Sequence, residues 1–297
     1  MTGNRIFHSI GNGIKKMRSP LKSAADTKIE FPSSIRIQSP QVTLVTCRSL
    51  MERKVPGGYF RFGDGDVNLL YGEDELLQEA NPKLQYEMEE TFSLSGEGIV
   101  KSLPLHSKRF GIFPGMRPGV HEVDDAWAER ILERTYRYFI GMPIYSPIAL
   151  HYTAVYDPDF AISFLRFLKS RRPIFIGPAN VPKDIVYTLF DNDIYIKSYP
   201  IPQKIAGKIN SYDIIDNLEN EVNKVISRND DEFHVVVVAQ GCAGRPLAKR
   251  LLGSHRNLFL FDFGSLLDAL CGWNTRAWIE LEPSFKPGSI LEQLQRA

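Results

Sequence analysis

The second half of the chain alternates short apolar segments with amphipathic ones, and this pattern restricts the fold more than any other feature. Residues 233–238 read Phe-His-Val-Val-Val-Val, and so apolar a strand is typical of a parallel sheet buried on both faces. An amphipathic helix is predicted before it at 212–227, and another with Pro246 near its start follows it. Further short strands are expected at 173–176, 193–196 and 257–262. Strands that alternate with helices predict an α/β fold with a Rossmann-like parallel sheet flanked by helices.

The first half of the chain completes a single domain, which we expect to run from residue 41 to residue 297. A helix is predicted at 42–54 and a short strand at 59–62. Asn81-Pro82 supplies an N-cap and a first-turn proline, so a helix is predicted from there to about residue 94, and Asp157-Pro158 predicts another. Proline and glycine interrupt the sequence after about residue 278, which predicts a peripheral C-terminal segment.

Residues 1–40 differ from the rest of the chain because they are basic and interrupted by serine and proline. Apolar residues recur there at three-to-four spacing beside basic ones, a pattern typical of helices that lie on anionic membrane surfaces. Residues 1–30 therefore carry a hypothesis of peripheral membrane contact, with a docked helix or a mobile tail as the alternatives. We expect neither a signal peptide nor a membrane-spanning helix.

Composition excludes several classes of protein. The chain has 297 residues, with 36 Lys and Arg against 35 Asp and Glu, and its net charge of +1 argues against a dedicated nucleic-acid-binding protein. A hydrophobic content of 43% with 11% aromatic residues excludes a wholly disordered chain. The scattered Cys47, Cys242 and Cys271 form no CxxC pair, so we expect no thiolate zinc site and a reducing, cytoplasmic compartment.

The most distinctive motif is Arg-Phe-Gly-Asp-Gly-Asp at residues 61–66, which begins in the last residues of the predicted strand 59–62. Two carboxylates two residues apart, Asp64 and Asp66, can converge on one divalent cation if the backbone turns between them. Gly63 and Gly65 would permit such a turn, because glycine adopts positive φ without steric cost. Carboxylate oxygens suit Mg²⁺ or Mn²⁺, which also bind the phosphate oxygens of a substrate. An Asp-Gly hairpin turn is the alternative interpretation.

A second candidate site is the loop at residues 240–244, which follows the valine-rich strand. N–H groups at the start of the next helix attract phosphate, and Gly241 and Gly244 would let a ligand approach the backbone. The loop matches neither GxGxxG nor a Walker A motif, so an ordinary connection is the alternative. Lys204 is a further candidate contact for a phosphate. Cys242 is near a helix N-terminus, which is expected to lower the pKa of its thiol.

Two aspartates after the last predicted strand are candidates for acid–base chemistry. Asp262 ends the strand, and Asp268 lies six residues further on. The carboxyl ends of parallel strands line the ligand crevice in open α/β sheets, so either carboxylate could act as a general base or bind a hydroxyl. A strand-end cap for Asp262 and a solvated helix face for Asp268 are the alternatives.

Taken in order, these motifs resemble the GT-D-fold glycosyltransferases. That family has an Arg-Phe-Gly-Asp-Gly-Glu stretch after an N-terminal helix, which residues 61–66 match with Asp66 in place of glutamate. Its later motifs are kept only in part. Residues 202–206 lack the family's asparagine, residues 241–244 keep one glycine, and residues 262–265 carry serine in place of histidine. The resemblance extends over about residues 42–273, most of the chain.

The resemblance implies a metal-dependent transfer of a hexose from a nucleotide sugar, expected to be UDP-linked, to an acceptor hydroxyl with inversion. It implies that Asp64 and Asp66 act on the donor diphosphate through Mn²⁺ or Mg²⁺. Asp268, and next Asp262, would deprotonate the acceptor, which is a glycan, a lipid-linked sugar or a protein. The residues expected to contact the nucleotide or its phosphates are Arg61, Gly63, Gly65, Lys204, Gly241 and Gly244.

Two other functions compete with a glycosyltransferase. The serine at position 265 favours a non-catalytic module that binds a nucleotide sugar or a phosphate compound. A metal-dependent phosphohydrolase could also use the aspartate pair, but such enzymes normally have more clustered carboxylate or histidine ligands than this sequence offers.

Overall fold

The computed structural model describes residues 31–200, 207–229 and 231–296. Residues 1–30 of the predicted tail, which carry the hypothesis of membrane contact, and the candidate phosphate contact Lys204 lie outside the described residues. From Phe31 onward the chain forms one compact unit. Within the described residues, six parallel strands form one sheet in the order β2-β1-β6-β5-β3-β4, which confirms the predicted α/β fold with a parallel sheet flanked by helices.

Helices and strands alternate along most of the chain. The strands are β1 (Gly57–Arg61), β2 (Ile99–Ser102), β3 (Ile174–Pro178), β4 (Tyr195–Ser198), β5 (His234–Val238) and β6 (Leu258–Asp262). The first helices are α1 (Pro40–Glu52), α2 (Asp64–Leu70), α3 (Pro82–Phe92), α4 (Asp125–Thr135), α5 (Ala149–Tyr156) and α6 (Pro158–Ser170). The later helices are α7 (Lys183–Phe190), α8 (Ile215–Ile226), α9 (Gly244–Ser254), α10 (Leu266–Leu270), α11 (Ala277–Leu281) and α12 (Pro287–Gln295).

The sheet is buried on both faces, as the valine-rich β5 predicts. Successive side chains of a strand point to opposite faces. Val235 and Val237 belong to the apolar core that includes α1, α5, α6 and α7, while Val236 and Val238 belong to the core that includes α2, α3, α8 and α9. Each group of helices forms a continuous apolar core with one face of the sheet. This two-sided burial fixes the positions of the loops at the carboxyl ends of the strands.

The predicted helix starts are confirmed where capping residues signalled them. Asn81 caps α3 by accepting a hydrogen bond from the N–H of Leu84 at 2.9 Å, and Pro82 is the first helical residue. Pro158 likewise opens α6. No helix in the described part of the chain is long and apolar enough to cross a membrane.

Two parts of the fold differ from the sequence-based expectations. The sequence pattern does not indicate strand β2, because it has four residues and one of them is the buried Lys101, whose Nζ donates to the carbonyl oxygens of Phe92 and Tyr138. The expectation of a peripheral C-terminal segment was wrong. Trp278, Ile290 and Leu294 of that segment are buried in the core, and α12 packs on α6 and α7.

The segment before α1 also contacts the domain. Ile37 is buried, bridges to Ile144, and hydrogen-bonds through its N–H to the carbonyl oxygen of Phe110 at 3.0 Å. Ser39 then accepts from the N–H of Val42 at 3.1 Å and caps α1.

Candidate functional site

A cleft of about 620 Å³ opens at the carboxyl ends of β1, β3, β4, β5 and β6. This is the edge at which open α/β sheets bind ligands. The cleft brings together most of the predicted site residues, which arrive from distant parts of the sequence: Arg61, Gly63, Asp64, Gly65, Asp66, Gly241, Asp262 and Asp268. Gly244 is absent from the lining.

The motif at residues 61–66 forms the start of a helix, whereas the sequence pattern predicted a turn between the two aspartates. Gly63 is the N-cap of α2, and Asp66, three residues later, accepts a hydrogen bond from the Gly63 N–H at 2.7 Å through Oδ2. This hydrogen bond directs the Asp66 side chain inward, and Asp66 is buried, with 1% of its surface exposed. Asp64 is exposed, and its Oδ1 accepts from the Gly65 N–H at 3.0 Å.

Burial determines the protonation behaviour of Asp66. It raises the pKa of this carboxyl to about 6, although the neighbouring Arg245 guanidinium and the Gly63 N–H both act in the opposite direction. Oδ1 of Asp66 is buried, lies 3.3 Å from Arg245 Nε, and has no hydrogen-bond partner among the described residues. Oδ1 of Asp66 can therefore still accept a bond from a ligand.

Arg245 joins three loops of the cleft, although no sequence motif singled it out. It is the second residue of α9, and its guanidinium donates to the carbonyl oxygens of Arg61 and Gly241. It also forms ion pairs with Asp66 at 3.3 Å and with Asp262 at 3.2 Å. The available signal was a basic residue directly after the glycine-containing loop of an apolar strand, a position that faces the ligand edge of the sheet.

Arg61 and Asp262 form the neighbouring pair. Arg61 Nη1 lies 3.3 Å from Asp262 Oδ1, and Arg61 Nε donates to the Pro147 carbonyl oxygen. Gly264 makes room for this arginine, because a Cβ atom built at Gly264 would lie 1.4 Å from Arg61 Nη1. Its φ of +67° also favours glycine. The glycine after Asp262 therefore places an arginine beside the carboxylate.

Asp268 lies in α10 and is 7% exposed, which excludes the alternative of a solvated helix face. Burial raises the pKa of this carboxyl, while a hydrogen bond from the Thr275 hydroxyl and the charge of Arg276 oppose the rise. Ser265, which stands where the GT-D family has histidine, accepts a hydrogen bond from Trp278 Nε1 at 3.0 Å.

The glycine-containing loop after β5 has two different parts. Gly241 lines the cleft with a φ of +56°, and a Cβ atom added to it would have nothing within 4 Å. Gly244 instead packs against β5, where a Cβ would lie 3.1 Å from Val238 Cγ1. The expectation for Cys242 was wrong, since burial and the neighbouring Asp66 carboxylate raise the pKa of its thiol.

The donor groups at this edge fit a hard divalent cation bound together with a phosphate ligand. Asp66 and Asp64 both line the cleft. The Oδ1 of Asp66 is buried and ion-paired with Arg245 but accepts no hydrogen bond from the described residues, and the carboxylate of Asp64 is exposed. Among the residues that the structure describes, no cluster of three or more His, Cys, Asp or Glu is placed to hold a metal. Mg²⁺ is commonly held by one or two carboxylates, with water and substrate phosphates completing its coordination.

The fold is similar to that of solved glycosyltransferase structures. A DUF1792 glycosyltransferase from Streptococcus sanguinis matches with a TM-score of 0.52 and 17% identity over 80% of this chain and 84% of its own. Two structures of domain of unknown function 1792, one containing selenomethionine and one described as a distinct glycosyltransferase fold, match with a TM-score of 0.56. Each is 18% identical over 86% of this chain and 84% of its own.

The chain has the GT-D glycosyltransferase fold. No protein-family model and no curated protein sequence matches it. At 17–18% identity the similarity establishes the fold, and the function has to be argued from the cleft of this GT-D domain itself.

Proposed function

We propose that this GT-D domain is a metal-dependent glycosyltransferase that moves a sugar from a nucleotide sugar, expected to be UDP-linked, to an acceptor hydroxyl. The observation that carries this proposal is the convergence of Asp64, Asp66, Asp262 and Asp268 on one cleft at the carboxyl ends of the strands. The same fold occurs in proteins described as glycosyltransferases. The cleft also has the volume expected of a site for a small-molecule ligand.

The charge balance of the cleft supports a requirement for a cation. Among the described residues, the lining has six carboxylates and three arginines: Asp64, Asp66, Asp74, Glu75, Asp262 and Asp268 against Arg61, Arg245 and Arg276. A diphosphate would meet net repulsion there unless positive charge entered with it. Asp64 and Asp66 would hold Mn²⁺ or Mg²⁺, which when bound would neutralise charge that develops on the nucleotide diphosphate.

Other residues of the cleft would bind the nucleotide and accept the proton of the acceptor hydroxyl. The exposed backbone at Gly241 would let the nucleotide or its phosphates approach closely. Asp268 is the better candidate for the base, because Asp262 is already paired with Arg61 and Arg245. Burial raises the pKa of Asp268, which makes its carboxylate a stronger proton acceptor for a hydroxyl than an ordinary aspartate. Inversion and a hexose donor are the expected course of the transfer.

The test measures release of UDP from a panel of UDP-hexoses with Mn²⁺, for the wild type, Asp64→Asn and Asp66→Asn. We expect metal-dependent release by the wild type and a loss of at least about 100-fold in each variant, because each removes a carboxylate from the cation site. Asp159→Asn, an exposed change in the first turn of α6, is the control. Equal release by the wild type and Asp66→Asn would remove the motif from the mechanism.

A second candidate function is a binding module without turnover. It is favoured by Ser265, whose hydroxyl is held by Trp278 and has replaced the histidine of the family. Thermal-shift measurements with UDP and Mn²⁺ separate the two functions. A metal-dependent stabilisation without any UDP release from UDP-hexoses would support the binding module, whereas stabilisation with release would support the enzyme.

A further inference from the structure

Arg276 differs from Arg61 and Arg245 because it forms no ion pair among the described residues, although its charge acts on the nearby Asp268 carboxyl. It precedes α11, is exposed, and lines the cleft on the side of Asp268. Its Nη1 donates to the carbonyl oxygen of the neighbouring Thr275 at 3.0 Å. Within the described ranges no carboxylate lies within 4.0 Å of its guanidinium, whereas Arg61 and Arg245 are both paired with aspartates.

The backbone around Arg276 is firmly anchored. Thr275 donates through its hydroxyl to the buried Asp268 carboxylate. Trp278 is 5% exposed, donates to Ser265, and stacks on His151 with ring centroids 4.8 Å apart and planes inclined by 10°. The base of the Arg276 side chain is therefore fixed at the rim of the cleft, while most of its N–H donors remain open to a ligand.

The chemistry of an unpaired arginine at this place favours an oxyanion as its ligand. A guanidinium presents five N–H donors in a planar fork that matches two oxygens of a phosphate. The lining of the same cleft also includes the acidic Asp64, Asp74 and Glu75. A substrate that carries phosphate would thus meet in this cleft both a guanidinium without an ion pair and carboxylates that need a cation.

We propose that Arg276 binds a phosphoryl group of a substrate and so selects phosphate-bearing substrates for the cleft. This inference rests on the proposed glycosyl transfer and adds a specificity-determining residue that the motifs did not indicate. The phosphoryl group belongs either to the diphosphate of the donor or to a phosphate on the acceptor. Both share the oxyanion that the guanidinium binds, and they are separated by experiment.

The test uses isothermal titration calorimetry on the full chain with Mn²⁺, comparing the wild type with Arg276→Gln and Arg276→Lys. In the first arm the ligands are UDP and uridine. In the second arm inorganic phosphate is titrated into protein saturated with UDP. Arg228→Gln, an exposed change after α8 and away from the cleft, controls for the loss of one positive charge.

We expect Arg276→Gln to weaken the binding of a phosphate-bearing ligand at least about tenfold, with partial recovery in Arg276→Lys and no change for Arg228→Gln. Weaker UDP binding with unchanged uridine binding would assign Arg276 to the donor diphosphate. Unchanged UDP binding with loss of phosphate binding in the second arm would assign it to the acceptor. If neither arm changes while the wild type binds UDP, the inference on Arg276 is overturned and the proposed function stands. If the wild type binds no UDP with Mn²⁺, both are overturned.

Discussion

The buried His121 makes a prediction about acid stability that can be worked out from its surroundings. Its ring stacks on His151 with centroids 5.5 Å apart and meets Tyr152 and Tyr156 edge-on. Neither ring nitrogen has a hydrogen-bond partner among the described residues. Burial lowers its pKa to about 4, with the charges of Glu282 and Arg117 acting in opposite directions.

The pH dependence follows from this lowered pKa. Because the unfolded chain binds a proton with a pKa near 6.5 and the fold only near 4, the unfolded state takes up more protons as the pH falls through this window. The contribution of neutral His121 to the free energy of unfolding is therefore fully present above pH 6.5 and is lost as the pH falls towards 4. Between pH 8 and pH 5 this one histidine removes about 2 kcal/mol from the free energy of unfolding.

The variant His121→Phe tests this reasoning, because phenylalanine keeps the aromatic stack and cannot be protonated. At pH 8 we expect the variant to match the wild type or exceed it by about 1 kcal/mol, since an unpartnered buried polar group is removed. At pH 5 we expect its lead to grow by about 2 kcal/mol. His106 and His151 remain in both proteins, and the change in the difference reports His121 together with its effect on the pKa values of those two rings.

The assay is urea unfolding followed by tryptophan fluorescence at pH 8 and pH 5. The control is His234→Phe, whose wild-type ring is partly exposed and lies 3.0 Å from the carbonyl oxygen of Asn229. If the wild type and His121→Phe lose equal free energy of unfolding between pH 8 and pH 5, the buried His121 ring is not the source of the acid sensitivity.

Two further predictions concern the cleft. Gly264→Ala would place a Cβ 1.4 Å from Arg61 Nη1 at a positive φ, so we expect the free energy of unfolding in urea to fall by about 3 kcal/mol and UDP binding to weaken. The control Gly253→Ala in α9, whose Cβ would have nothing within 4 Å, should be neutral or slightly stabilising, and equal stability of the two variants would contradict this packing. Arg245→Met would leave the buried Asp66 and the partly buried Asp262 without their shared cation, and we expect a loss of about 3–5 kcal/mol in urea unfolding. A loss below about 1 kcal/mol would mean that the carboxylates find other partners.

Much of the fold was predictable because its signals are local. The valine-rich β5, the proline-opened α3 and α6, and the alternation of strands with helices all depend on residues that are neighbours in sequence. The short β2 and the buried α12 were missed for the opposite reason. Lys101 is acceptable inside β2 only because carbonyl oxygens of a helix and a turn receive its ammonium group, and those residues are 9 and 37 positions away.

The candidate site also has features that the sequence predicts and features that only the folded chain shows. The residue types that follow the strands can be read from the order of the amino acids, which was enough to predict that Asp64, Asp66, Asp262 and Asp268 lie at one edge of the sheet. What each carboxylate can do depends on the folded chain. Burial and pairing, which arise between residues up to 201 positions apart, commit Asp262 to Arg61 and leave one oxygen of Asp66 without a hydrogen bond. Charges and desolvation act through space, and the sequence order does not contain those distances.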